Sequence, residues 1–223
     1  MDLADFDYAD ARARMVDSQV RPNKVGDPRI LAAMRRLPRE VFLPAVLAVR
    51  AYGDEDVQLG NGRVLMAPMA IARLVQLLAP EEGQRALVVG AGSGYGAALL
   101  AACGARVTAL EEDPALHALA ADALIAEAPQ VALVAGPLAA GWPAGAPYDL
   151  ILIEGAVASI PATIAGQLRE NGGRLVTVRE DPPGTPGQAV LAEATAQGAR
   201  ARPAFDCATA MLPAFRPARG FVF

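Results

Sequence analysis

Residues Arg85–Ala101 read RALVVGAGSGYGAALLA. An apolar run ends in glycines at alternate positions, Gly90, Gly92, Gly94 and Gly96, and the chain then turns Ala/Leu-rich. That order reads as strand, tight turn and helix. Glycine lets the turn backbone take conformations closed to other residues, so a ligand can lie against the peptide groups and meet the free N–H groups of the helix start. A phosphate-binding NTPase loop needs Gly-Lys-Ser/Thr, which the stretch lacks. A dinucleotide pattern G-x-G-x-x-G/A fits Gly92, Gly94 and Ala97 but fails at Tyr95 when started from Gly90. The loop alone leaves open a glycine turn without a ligand.

Outward from the loop, short apolar runs alternate with helical patterns. Strands are expected at Ala86–Val89, Arg106–Leu110, Val131–Val134, Asp149–Ile153 and Arg174–Val178, and helices at Tyr95–Ala102, Pro114–Ala126 and Pro161–Glu170. This rhythm predicts an α/β fold with a mostly parallel sheet covered on both faces. Beyond a Pro/Gly loop at Asp181–Gln188, two edge strands are expected near Gln188–Ala194 and Phe205–Leu212. Upstream, Asp27-Pro28 caps and starts a helix that Pro38 ends. YGDEDVQLGNGRVLMAP reads as a turn-rich connection, and Met69–Ala79 as a helix with Ile71, Leu74, Val75 and Leu78 on one side. Residues 1–80 form a helical segment expected to pack on a core of residues 81–223, within one domain overall.

The 223 residues are 53% hydrophobic but only 5% aromatic, enough for a sizeable core without staples. With 20 basic and 24 acidic residues the net charge is −4, which argues against nucleic-acid binding by charge. Cys103 and Cys207 have no metal-like spacing and read as buried thiols. His117 is the only histidine, so a His-rich metal site is excluded, and it reads as a surface residue. The start MDLADFDYADARARM lacks the apolar core of a signal peptide, and the uncharged run Ala86–Ala105 carries five glycines, so a cytoplasmic protein without a membrane span is expected.

After the second strand stand Glu111 and Glu112, where a carboxylate meets the ribose hydroxyls of a bound nucleoside. Asp113 and Pro114 also read as a helix cap and first turn. Ribose recognition fits NAD or S-adenosylmethionine. LRENGGRLVTV, a helix, a Gly-Gly turn and a strand, favours the methyl donor.

These segments together resemble the protein-L-isoaspartate O-methyltransferase family, from about Val16 to Val178. ILAAMRRLPREVFLP, AYGDEDVQLGNG, GAGSGYGAALLA, GWPAGAPYDLILIEGA and IPATIAGQLRENGGRLV match in order, and the resemblance fades after Glu180. It implies a Rossmann-like doubly wound fold with helical N-terminal additions. It also implies S-adenosylmethionine as cofactor, S-adenosylhomocysteine as product, and repair of damaged proteins by methylation of an isoaspartyl carboxylate, so that the partner is a protein or peptide carboxylate or a small molecule. Val89, Gly90, Gly92, Ser93 and Gly94 fall on the family's cofactor loop, Glu111 on its ribose-binding acid with Glu112 beside it as a further cofactor-binding candidate, and Pro137 and Leu138 on the loop near adenine.

The resemblance breaks at particular residues. Val88 stands where the family has an acid, and Pro137 where it has an aspartate. VLMAP, with Val64, Met66 and Ala67, replaces the family's T-I/V-S-Q-P, which predicts an apolar acceptor site. Arg63 stands where the family commonly has glutamine; it reads as a solvated loop arginine, or else as a two-pronged clamp for a carboxylate. Trp142 is expected to pack beneath the end of the sheet. Two other readings stay open: a catalytically silent relative that binds a partner or nucleoside, and an NAD-dependent oxidoreductase.

Overall fold

A computed structural model describes residues 6–182, 184–196 and 198–217. Helix α1 (Tyr8–Met15) is capped by Asp7, whose carboxylate accepts from the Asp10 amide. Helix α2 (Pro28–Arg36) starts on the Asp27 cap and ends at Leu37, held extended before Pro38. Next come strands β1 (Val57–Gly60) and β2 (Arg63–Leu65) and helix α3 (Pro68–Leu78). The alternating part follows as β3 (Arg85–Val89), α4 (Tyr95–Ala102), β4 (Arg106–Glu111), α5 (Pro114–Glu127), β5 (Ala132–Ala135), β6 (Leu150–Val157), α6 (Ala162–Ala165) and β7 (Arg174–Arg179). An edge hairpin, β8 (Gln188–Thr195) and β9 (Gly198–Asp206), completes the seven-stranded sheet.

The sheet order is β5-β4-β3-β6-β7-β8-β9, parallel through β7 and antiparallel beyond it. This is a Rossmann-like sheet in which β3 has neighbours reached by chain travel in opposite directions. Successive residues of β3 point to opposite faces. Ala86 and Val88 join a core with α2, α3, α4 and α5, while Leu87 and Val89 join a second core on the other face. Helix α4 is buried from Tyr95 through Ala101. An apolar circumference suits a helix enclosed on all sides, and α2 packs against α4 to complete the enclosure.

Three expectations change. The turn-rich segment before α3 is an antiparallel β1–β2 hairpin, turned by Asn61 (φ 50°) and Gly62 (φ 72°). Two central residues at positive φ match the twist of the flanking strands, and Asn-Gly supplies them. The helix expected over Pro161–Glu170 is one turn, α6, because the chain straightens at Gln167 to pair with Tyr148. The Tyr148 amide donates to Gln167 O (2.8 Å) and the Arg169 amide to Tyr148 O (2.7 Å). The second face is therefore covered by short turns and by side chains such as Leu138, Tyr148, Ile164 and Leu212, with Trp142 packed against them at the sheet end, as expected. The last strand runs over Gly198–Asp206 rather than Phe205–Leu212, and the chain from Cys207 leaves the sheet as a strap.

Cys103 and Cys207 are buried free thiols, each pushed up to about 11 by burial. His117 is half-buried, lining a cavity of about 290 Å³ with Leu124 and Ile125, rather than freely on the surface. Among the described residues no helix is long and apolar enough to cross a membrane.

One buried charge ties the N-terminal segment to the core. Arg39 is fully buried; its Nε donates to Ala51 O and its Nη2 to Met66 O, both at 2.8 Å, and its guanidinium lies 4.5 Å from the Tyr95 ring centroid. Replacing it by an apolar residue strands both carbonyls, each at a cost of about 1–3 kcal/mol. Arg39→Met should therefore lower unfolding free energy by roughly 2–6 kcal/mol in urea titration; an unchanged midpoint would show that these carbonyls find other donors.

Candidate functional site

Open α/β sheets form a crevice at the carboxyl ends of their strands, where the order of connections reverses. Here it lies between β3 and its neighbours β4 and β6. Its floor is the turn after β3, in which Gly90, Gly92 and Gly94 all have positive φ (74°, 57° and 94°). The Gly90 and Ala91 amides donate to Leu110 O (3.0 Å each), and Gly94 N-caps α4. Val89 and Ser93 are buried, and the Ser93 hydroxyl has no protein partner.

Glu111, at the end of β4, is fully buried. Arg63 on β2 grips it with both prongs: Nη1 to Oε1 at 2.7 Å and Nη2 to Oε2 at 2.8 Å. The Gly92 amide donates to Oε2 (2.7 Å), and the Glu112 and Asp113 amides donate to Oε1 (2.9 Å each). The carboxylate thus accepts from five donors, all supplied by the chain itself. Glu112 faces away and accepts from the Leu138 amide (3.0 Å). Asp113 caps α5 through the Ala115 and Leu116 amides and accepts from Asn61 Nδ2 (2.8 Å), so the hairpin turn is anchored beside the helix start.

Two further side chains enter the crevice. Leu212, on the strap after β9, is 2% exposed. A Cβ on Gly90 would lie 3.2 Å from Arg63 Nη2 and 3.2 Å from Leu212 Cδ1, and one on Gly155 only 2.6 Å from Leu212 Cγ. Glu154 sits where β6 bulges against β7, with its carboxyl group in the space a Cβ on Gly96 would need, at the start of α4. Burial pushes Glu154 up to about 8, against the pull of Arg63 and Arg39, with Glu111 adding to the rise. Its Oε2 has no protein partner, nor has the hydroxyl of Tyr95, the first residue of α4.

Comparison with known proteins agrees with this fold. The family model for protein-L-isoaspartate(D-aspartate) O-methyltransferases matches residues 11–189. The chain belongs to that family. It is 42% identical over 192 residues to the protein-L-isoaspartate O-methyltransferase of Methylorubrum extorquens, covering 86% of this chain and 82% of that one. It is 39% identical to the enzyme of the same name from Methanoregula boonei, covering 78% and 80%. A solved protein-L-isoaspartate O-methyltransferase superposes with TM-score 0.76 at 21% identity, over 92% of this chain and 65% of the other. A Plasmodium falciparum structure of the same description, in complex with S-adenosyl-L-homocysteine, superposes with TM-score 0.73 at 18% identity, over 91% and 98%.

Against the family pattern, the side chains fall differently from their reading in the sequence. Arg63 is a buried clamp rather than a solvated loop residue, and the carboxylate it holds is the chain's own Glu111. Met66 is fully buried in the first core, and its carbonyl accepts from Arg39 Nη2. The Ala67 amide donates to Asp56 Oδ1 (2.7 Å) at the start of α3, and Val64 is half-buried with its carbonyl near Gly92. Leu138 packs into the second core and Pro137 is exposed. Val88 is buried in the first core. Glu154 and Leu212 were not singled out from the sequence. A lone acid inside LILIEGAV was a usable signal for Glu154; nothing in LPAF marks Leu212.

Two outcomes are expected. Met66→Ser, which restores the family's hydroxyl, should cost roughly 2–5 kcal/mol of stability, as for truncation of a buried Met; a neutral change in urea titration would place Met66 outside the core. Glu154 binds its proton more tightly folded than unfolded, so stability should fall as pH rises from about 4.5 to about 8. Glu154→Gln should flatten that stretch of the profile, and an unaltered slope would mean that Glu154 ionises freely.

Proposed function

We propose that this chain is an S-adenosylmethionine-dependent O-methyltransferase that esterifies a carboxylate of a protein or peptide and acts in the cytoplasm. Membership of the isoaspartyl methyltransferase family over residues 11–189 carries the reading. Three features of the crevice support it. The glycine turn presents bare backbone, α4 begins at the turn, and Glu111 ends the neighbouring strand where a ribose-binding acid belongs. The only lysine, Lys24, precedes the glycine turn and the only histidine is His117, so no downstream Tyr-Lys pair is present for hydride chemistry, which disfavours the oxidoreductase reading.

The frame suits S-adenosylmethionine, but the space does not as the side chains stand. Arg63 and Leu212 lie over Gly90, Glu111 has its oxygens taken, and Glu154 fills the entrance to α4. A bound nucleoside would have to displace them.

A carboxylate acceptor needs little proton chemistry, since it is already charged; alignment and desolvation are what a protein adds. VLMAP supplies no side-chain hydrogen bond for that alignment. With radiolabelled S-adenosylmethionine, the chain should methylate an isoaspartyl peptide roughly 100- to 1000-fold more slowly than a relative that keeps the T-I/V-S-Q-P motif, the usual effect of one lost preorganised donor. Equal rates would show that VLMAP is no handicap. No transfer to isoaspartyl peptides or to any other carboxylate would favour a catalytically silent relative.

A further inference from the structure

The crevice is closed by two parts of the chain that meet above it. The β1–β2 hairpin brings Arg63 from one side. The strap from Cys207 to Phe215 brings Leu212 from the other. The strap is fastened to the end of β6, where the Leu212 amide donates to Ala156 O and the Ala156 amide to Ala210 O, both at 2.9 Å. Thr209 Oγ1 donates to Asp56 Oδ2 (2.6 Å), and the other oxygen of Asp56 accepts from the Ala67 amide. A Cβ on Gly62, at the hairpin turn, would lie 3.0 Å from Arg216 Nη2 and 3.5 Å from Pro213 Cγ, so turn and strap are in close proximity.

Neither closing residue comes from the family's pattern. By the resemblance, Arg63 stands where the family commonly has glutamine, and Leu212 lies beyond residue 189, where the family match ends. Arg63 has one further property. Released from Glu111 it would be a buried guanidinium without its carboxylate, so it must find solvent or another carboxylate such as Glu154, which already feels its charge.

We propose that Arg63 on Glu111, roofed by Leu212, is a latch across the cofactor crevice: S-adenosylmethionine or its product enters only when Arg63 releases Glu111 and the strap lifts from β6. The inference rests on the methyltransferase reading above. The apparent affinity is then the intrinsic affinity reduced by the fraction of molecules that are open. A latch closed in 99 of 100 molecules weakens binding about 100-fold. Changes that weaken the latch should tighten binding, although they remove contacts from the free protein.

The test is calorimetric titration of S-adenosylhomocysteine into the full chain and into two variants whose folding is first checked by thermal unfolding. Arg63→Gln keeps a single donor toward Glu111 and restores the family's residue. Leu212→Ala leaves the ion pair intact and empties the space above Gly90 and Gly155. Each should bind at least tenfold more tightly than the parent. A second measurement needs no variant: hydrogen exchange on the parent at saturating S-adenosylhomocysteine. The latch predicts faster exchange at residues 207–217 when ligand is bound, the opposite of ordinary protection. A parent that binds as tightly as both variants, or slower exchange of the strap on binding, overturns the latch and leaves the cofactor reading standing. No binding by the parent or either variant overturns both.

Discussion

The ion pair between Arg63 and Glu111 is the contact on which the upper half of the molecule depends. Both groups are buried, and taking such charges out of water costs several kcal/mol for each ion. The cost is offset only when the geometry is good and the remaining lone pairs are filled. Here the two prongs fit the two carboxylate oxygens, and three amides complete the shell. Those amides belong to the glycine turn and to the start of α5. Glu111 therefore joins β4, the turn after β3, the capping of α5 and the β1–β2 hairpin in one cluster.

Everything above the sheet is arranged around that cluster. Asn61 reaches Asp113 from the hairpin turn, and Arg39 pins the far end of the same segment through Met66 O. Between those anchors the chain runs across the crevice. Asp56 repeats the device at smaller scale, joining the strap to the start of α3. An open cleft of about 680 Å³ lies on the second face of the sheet, lined by Ala162 and Ala165 of α6 and Ala192 and Ala194 of β8.

The sheet was legible because its strands are short apolar runs bounded by turn residues, and α4 and α5 were placed to within a residue. Local chemistry decides those elements. The errors arose where a partner distant in sequence decides. The turn at Gln167 answers to Tyr148, and the end of β9 to its register with β8. The β1–β2 hairpin is a different kind of miss, since Asn61-Gly62 was a sufficient local signal. At the site, the positions of the glycine turn and Glu111 could be read from spacing alone. The partner of Glu111 could not, because Arg63 lies 48 residues away and the same arginine on a loop is ordinarily solvated. Leu212 was beyond reach for the same reason, in a segment without any motif.

The central claim is that Arg63 and Glu111 stabilise each other, and a double-mutant cycle in urea measures it. The four proteins are the parent, Arg63→Met, Glu111→Gln and the double variant. Removing Arg63 alone should destabilise by about 3–5 kcal/mol, because it leaves a buried carboxylate without its counter-charge. The double variant should lose at least 2 kcal/mol less than the sum of the single losses, within the range of roughly 0.5–3 kcal/mol measured for residues in contact. Losses that add to within about 0.5 kcal/mol would show two independent residues and contradict the account.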